Sequence, residues 1–400
     1  MIQKVFIENF KAIHLGTELP IQPFTVFIGN NGTGKSSVME ALRVLQKAVR
    51  SDLNNAFYEF GGIEKARNKN ADISENNRNE VAVIKNKFHP IKIILTAIVN
   101  KNLYEYEVSI NYDRVYVVEN EVLKCNGRLI FTSKIKENNE EADVWLYNAK
   151  TQVKKPFFYK HEPNSLMLSY KGSPSYIIGI EEFSSYIEDW QFLYLDAHIM
   201  GQPVPQDKLY WIKRLNYNGG NIAEYLLWLK EQGNGHWESL MQKMRFVLPY
   251  IKDIEPHVLI ETINTEIELL MHESEGKQKA IPGWLLSSGT LRILALLAMF
   301  ETPGKPSVLF IDEIENGLDP RTIGLLLSEI EKAFDEKEIQ VIVTTHSPYF
   351  LDLIPLESII VAEKTDNGSE FHIPSDEKKL NTWKERFLPG KLYTMGNLTK

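Results

Sequence analysis

The run Gly29-Asn30-Asn31-Gly32-Thr33-Gly34-Lys35-Ser36 restricts the choice of fold more than any other part of the sequence. Its spacing, G-x-x-x-x-G-K-S, needs a strand ahead of it and a helix behind it. Both are predicted. Phe24 to Ile28 is an apolar run that ends at Gly29, and from Gly34 onward Val38, Ala41, Leu42, Leu45 and Val49 recur at helical spacing. The glycines permit backbone conformations that other residues resist, so successive N–H groups can point at phosphate oxygens. The helix presents its positive end to the same anion. Lys35 is expected to neutralise the β- and γ-phosphates and the Ser36 hydroxyl to ligate Mg²⁺, with Asn30, Asn31, Gly32, Thr33, Gly34 and Ser37 completing the cradle. Alone, the loop specifies only nucleotide binding, and its bland alternative is a glycine-rich turn that precedes a helix.

A second feature fixes the chemistry further. Val308 to Ile311 is an apolar strand that ends in Asp312-Glu313. Carboxylates at the carboxyl end of a buried strand sit where open α/β sheets bind ligands. Asp312 is expected to hold Mg²⁺ and Glu313 to orient and deprotonate the attacking water. Gly317-Leu318-Asp319-Pro320 follows, then a helix predicted from Arg321 to Phe334. Next comes the mostly apolar run Ile339 to Thr344, whose β-branched residues suit a central strand buried on both faces. It leads to His346, which is placed to hydrogen-bond a γ-phosphate; a lone histidine after a strand is otherwise incidental.

Composition excludes several classes. A net charge of −8 argues against a surface that is basic all over, so any nucleic-acid contact needs a local patch. Candidates are Lys65, Arg67 and Lys69, and Lys213 with Arg214. The single cysteine, Cys125, allows no internal disulfide and no cysteine-based zinc site, which suits a reducing cytoplasm. The longest apolar run, near Ile293 to Phe300, is too short to cross a bilayer, and the first residues alternate as a strand does. Cytoplasmic localisation without membrane contact is the expectation.

The chain reads as four segments. Residues 1–175 form a nucleotide-binding lobe with the phosphate loop and an antiparallel β segment from about Val81 to Tyr170. Residues 176–270 form a helical insertion, although Ile254 to Met271 looks like a strand pair. Residues 271–370 carry the helix from Ser288, the acidic pair and the histidine, and 371–400 form a tail. Asn68 to Glu80 reads as an exposed polar loop. Neither an internal repeat nor sustained heptads occur.

The five motifs in this order resemble the ABC ATPase superfamily, and more narrowly the RecF/SMC-like and OLD-like stand-alone heads of bacterial defence and repair systems. Leu286-Ser287-Ser288-Gly289-Thr290, followed by Leu291-Arg292-Ile293-Leu294, is similar to the signature of that superfamily. A helix N-terminus with small residues can receive a phosphate; the plain alternative is an ordinary N-capped helix. Phe57 to Gly62 and the tail from about Leu380 to Asn397 also look like segments of that subgroup. The resemblance implies an α/β fold: a P-loop ATPase head with a central mostly parallel sheet, an antiparallel β lobe and a helical insertion. It implies ATP and Mg²⁺ as cofactors, and a homodimer in which Ser287, Ser288, Gly289 and Asp319 of one copy close over the nucleotide of the other. No glutamine can be assigned to the glutamine loop of many ABC heads.

For its biological use, the resemblance points to a dimeric switch in DNA surveillance and anti-phage defence and leaves direct contact with DNA open. The stretch Asp366 to Lys400 is too short for a nuclease domain, so the effector is expected to be a separate protein, for instance a TOPRIM or HNH nuclease. Two alternatives remain open: the energising subunit of a transporter, and a scaffold locked by ATP.

Overall fold

The computed structural model describes residues 1–71, 89–136, 142–148, 150–157, 164–171, 178–205, 214–260, 265–274, 280–335, 339–366, 368–376 and 387–398. The chain forms two compact units. One comprises Met1–Trp190, Leu356–Asn381 and Leu398–Lys400; the other comprises Gln191–Pro355 and Thr382–Asn397. Most of the polar loop expected after Asn68 lies outside the described residues, as does Lys213.

The first unit begins with β1 (Ile2–Glu8), β2 (Thr17–Pro20) and β3 (Phe24–Ile28). It continues through β4 (Ile91–Val99), β5 (Asn102–Asp113), β6 (Val115–Cys125), β7 (Arg128–Ile135), β8 (Ala142–Tyr147) and β9 (Lys154–Pro156). All but β3 join one sheet in the order β2-β1-β4-β5-β6-β7-β8-β9, with every neighbour antiparallel. This is the antiparallel β lobe expected from sequence. The period of two is plain in β4, where Ile91, Ile93, Leu95, Ala97 and Val99 are buried and the residues between them are not. β3 instead pairs in parallel with the returning strand Ile359–Thr365, which pairs antiparallel with Gly368–His372.

The helices of this unit are α1 (Lys35–Arg50), α2 (Leu53–Tyr58), α3 (Ile63–Ala66) and α4 (Ile178–Glu188). The residues read as the apolar stripe of α1, Val38, Ala41, Leu42, Leu45 and Val49, are all buried. Gln46 fixes α1 against the end of α4. Its amide donates to the carbonyls of Ile187 at 3.1 Å, Glu188 at 3.2 Å and Trp190 at 2.5 Å, taking up acceptors that a helix end leaves without intrahelical partners. Glu121 of β6 is a buried carboxyl that accepts from the N–H groups of Met167 and Leu168 and from the Tyr106 hydroxyl. Burial pushes it up to about 7.

The second unit opens with β10 (Gln191–Leu193) and α5 (Ala197–Met200). The sequence places Gln191–Leu193 inside a helical segment, whereas the structure makes it a buried strand. Three residues are too few to show a period, and the strand is defined by its parallel neighbour, Val308–Ile311. The short β11 (Val204–Pro205) and β14 (Ile281–Pro282) flank a hairpin of β12 (Ile251–Ile260) and β13 (Thr265–Glu273), the strand pair expected there. Helices α6 (Ile222–Glu231), α7 (His236–Val247) and α8 (Ser288–Glu301) supply apolar faces.

β15 (Val308–Ile311) and β16 (Gln340–Thr344) are buried at every position, as a parallel strand covered on both faces must be. β15 pairs in parallel with β10 on one side and β16 on the other. Helix α9 (Pro320–Asp335) connects them, and α10 (Pro348–Leu351) and α11 (Pro389–Thr394) complete the unit. Among the described residues no helix is long and apolar enough to cross a membrane.

Phe192 and Phe310 lie opposite each other in the β10–β15 register and stack at 4.2 Å between ring centroids, 5° from parallel. Because Phe310 is the penultimate residue of the strand that delivers Asp312, Phe310→Ala should destabilise the protein by about 3–5 kcal/mol. Urea unfolding monitored by tryptophan fluorescence checks this, and a loss under about 1 kcal/mol would mean that the site can collapse around the cavity.

Candidate active site

The phosphate loop lies between β3 and α1 in the first unit. Asn30, Asn31 and Gly32 are exposed, Ser36 is half-buried, and Thr33, Gly34, Lys35 and Ser37 are buried. Lys35 Nζ donates to the carbonyl oxygens of Gly29 at 2.7 Å and Asn30 at 2.9 Å, so the loop holds its own cation. Thr33 folds the loop back, its hydroxyl donating to Asn30 O at 2.9 Å. Gly34 is the N-cap of α1 with φ +101°, a left-handed conformation, and a Cβ there would lie 2.5 Å from Ser369 Oγ. Both facts require glycine. No side chain caps this helix at Gly34, and a helix N-terminus of this kind is favourable to an anion.

The acidic pair lies at the end of β15 in the second unit. Glu313 has φ +52°, a conformation that a residue with a long side chain rarely adopts. One hydroxyl stabilises it. Thr344 Oγ1, at the end of β16, accepts the N–H of Glu313 at 2.8 Å and donates to Asp312 Oδ1. Thr344 is wholly buried, and its carbonyl also accepts the N–H of Ile314 at 3.1 Å. The Glu313 carboxylate receives Asn316 Nδ2 at 3.2 Å. Strain of this kind is concentrated where surrounding structure over-determines it, typically at functional sites.

His346 follows two buried threonines and is itself half-buried as a residue. Its backbone N–H donates to Glu315 Oε1 at 2.6 Å. Sequence reasoning assigned no role to Glu315, and the only available signal was its place two residues after Glu313.

The signature segment starts α8. Ser287 is the N-cap: its Oγ accepts the N–H of Thr290 at 3.1 Å and shares a hydrogen bond with Thr290 Oγ1 at 2.8 Å. Ser287 and Ser288 are exposed. Gly289 lies against the turn at Gly317, where an added Cβ would sit 2.3 Å from the carbonyl oxygen, and Arg292 donates to Asn316 O at 2.9 Å. The signature helix thus rests directly on the loop that follows the acidic pair.

Asp319 caps α9. It accepts from the N–H groups of Arg321 at 2.9 Å and Thr322 at 3.3 Å and from the Thr322 hydroxyl at 2.6 Å. The Thr322 hydroxyl bond leads the causes that hold its carboxyl below the usual aspartate range. The patch proposed for DNA loses one member. Arg67 is buried and donates to Asn111 Oδ1 at 2.7 Å, and burial lowers its pKa. Lys65 and Lys69 are exposed, and Arg214 donates to Gly304 O at 3.2 Å.

Ser36 in the first unit and Asp312 in the second each carry a hard oxygen, the ligand type that magnesium takes alongside water and phosphate. Among the described residues there is no group of three or more His, Cys, Asp or Glu side chains that could hold a metal ion by themselves. A substrate-borne ion needs no such group.

Comparison with known proteins adds a family. A family model described as "AAA domain, putative AbiEii toxin, Type IV TA system" matches residues 24–352. A Helicobacter pylori protein named "ATP/GTP phosphatase" is 23% identical over 367 residues, covering 88% of this chain and 87% of its own length. The "Retron Vc95 probable ATPase" of Vibrio cholerae is 22% identical over 378 residues, covering 86% of this chain and 69% of its own. Among solved structures, an SMC head bound to the C-winged helix domain of ScpA is similar at a TM-score of 0.48 and 15% identity, over 93% of this chain and 97% of that one. The SMC head domain from Thermotoga maritima is similar at 0.44 and 12% identity, over 93% and 98%.

Replacing Asp319 with Ala removes the α9 cap and should cost about 1 kcal/mol at neutral pH. Since the folded pKa is depressed, the contribution of Asp319 is present above the unfolded value of about 3.9 and disappears as pH falls through the lower folded value. Wild type and variant should therefore differ in melting temperature at pH 7 and converge in strong acid. A gap that stays constant down to that range would contradict the capping role.

Proposed function

Since the chain belongs to this AAA-domain family and is an ATPase, we propose that it binds ATP at the phosphate loop and hydrolyses it with Glu313 as general base. Lys35 and the N–H groups of the α1 turn hold the β- and γ-phosphates, with Asn30, Asn31, Thr33 and Ser37 shaping the loop around them. Ser36 and Asp312 are the residues that would hold Mg²⁺, which offsets charge on the phosphates when bound. Glu313 orients the attacking water and takes its proton. His346 hydrogen-bonds the γ-phosphate and reports whether it is present.

One observation carries this reading. A glutamate directly after the strand-end aspartate is held in a left-handed conformation by a buried threonine hydroxyl. A surface turn would not need that conformation, and its presence beside a strand-end carboxylate supports a base fixed in place before substrate arrives.

The exposed Ser287 and Ser288 at the start of α8 support the further reading that two copies work together, with Ser288 and Gly289 of one closing over the triphosphate of the other and Asp319 lining the same contact. In this reading the protein is a cytoplasmic, dimeric switch in DNA surveillance, serving anti-phage defence through a separate effector such as a nuclease. The resemblance to RecF/SMC-like heads and the retron relative favour that use.

Glu313→Gln keeps the size and hydrogen-bonding capacity of the side chain but removes the base. Phosphate release should fall by roughly 10²–10⁴-fold, while ATP binding persists. Sedimentation should then show an ATP-dependent dimer that outlives that of the wild type. Unchanged turnover would exclude Glu313 as the base, and a monomer with bound ATP would exclude the two-copy arrangement.

A further inference from the structure

The turn after the acidic pair carries a second carboxylate that the reading above leaves unused. Glu315 is half-buried as a residue, but its Oε2 atom is sealed from solvent and has no hydrogen-bond partner. Its other oxygen, Oε1, accepts the backbone N–H of His346 at 2.6 Å. A buried carboxylate oxygen without a donor is costly, and native structures retain few of them without a use.

The acidic turn and the His346 turn are stitched together residue by residue. Thr344 Oγ1 holds Glu313 N and Asp312, Thr344 O accepts Ile314 N at 3.1 Å, and Glu315 Oε1 accepts His346 N. The last of these is the bond that reaches beyond the end of β16, at the residue whose side chain must be aimed. It is short and involves an acceptor that can carry charge, the stronger class of hydrogen bond. On the far side of His346, Ser347 Oγ caps α10 by accepting Phe350 N at 3.2 Å. The C-terminal helix α11 is fastened to α10 by Gly390 N donating to Asp352 Oδ1 at 2.7 Å. Its Tyr393 phenol is pushed up, first by burial and then by the Glu315 charge. Glu315 therefore ties the acidic turn to the His346 turn, with Tyr393 of α11 close enough to feel its charge.

We propose that Glu315 is a positioning residue for ATP hydrolysis: it fixes the backbone at His346, so that the imidazole is aimed before nucleotide binds. It touches neither nucleotide nor water and acts through His346. The inference rests on the reading of His346 as the residue that detects the γ-phosphate.

The test is steady-state ATP hydrolysis by the full chain, with Glu313→Gln as the reference for lost chemistry. Glu315→Ala should lower kcat at least about tenfold while KM for ATP stays within about twofold, because the interaction matters in turnover rather than in binding. Glu315→Gln should recover most of the rate, since its amide oxygen still accepts the His346 N–H. Glu315→Asp retains the charge but is one methylene too short, and it should resemble Glu315→Ala; it also serves should Glu315→Ala fail to fold. The discriminating arm is the double variant. Glu315→Ala combined with His346→Ala should be no slower than His346→Ala alone, as expected of residues that act as a unit. The proposal is overturned if Glu315→Asp and Glu315→Ala hydrolyse ATP at the wild-type rate while Glu313→Gln does not, or if the two losses simply multiply. Full turnover by Glu313→Gln would instead overturn the hydrolysis reading, and this one with it.

Discussion

The arrangement of the acidic turn depends on one buried hydroxyl. Thr344 closes β16, and its Oγ1 accepts the N–H of Glu313 while donating to Asp312. Two neighbouring carboxylates at a strand end would ordinarily splay into solvent. Here the backbone of one and the side chain of the other are tied to the adjacent parallel strand, and Glu313 is kept at φ +52°. The energetic cost of that conformation is of the order of 1–3 kcal/mol, and it is met by strands β15 and β16, which are buried along their whole length. Packing in the second unit and the backbone conformation of Glu313 are thus parts of one structure.

The two helix N-termini that the motifs provide are built differently, and the difference follows from single residues. α1 begins after a glycine in a left-handed conformation and has no side-chain cap at its N-cap residue. α8 begins after Ser287, whose hydroxyl already takes the N–H of Thr290. Any phosphate received there must be met by the exposed Ser288 and by other groups of that turn. The two helix starts thus differ in the side-chain cap that α8 has and α1 lacks.

Much of this was legible in the sequence because the responsible signals are local. The phosphate loop states its own strand and helix, the apolar run from Val308 to Ile311 states a buried strand, and the alternation from Ile91 to Val99 states a sheet with one covered face. What escaped was decided by partners distant in sequence. Gln191–Leu193 is a strand only because β15 lies beside it. Arg67 reads as a surface cation until Asn111 receives it in the interior. Glu315 stood out only by its place two residues after Glu313, since its bond to the His346 N–H joins two separate turns. Gln46, the one glutamine within the first helix, is spent on the end of α4 and so does not supply a glutamine loop.

The central claim is that an ATP molecule is hydrolysed at the loop and turn described above, with two copies of the chain enclosing it. A crystal structure of the full chain with Mg²⁺ and a non-hydrolysable ATP analogue tests it most directly. The account requires the triphosphate in the cradle of residues 32–36, with Lys35 turned from the Gly29 and Asn30 carbonyls to the phosphates and Ser288 of a second copy on the γ-phosphate. A nucleotide bound elsewhere, or one in the cradle with no second copy near it while the Lys35 bonds to those carbonyls persist, would contradict it.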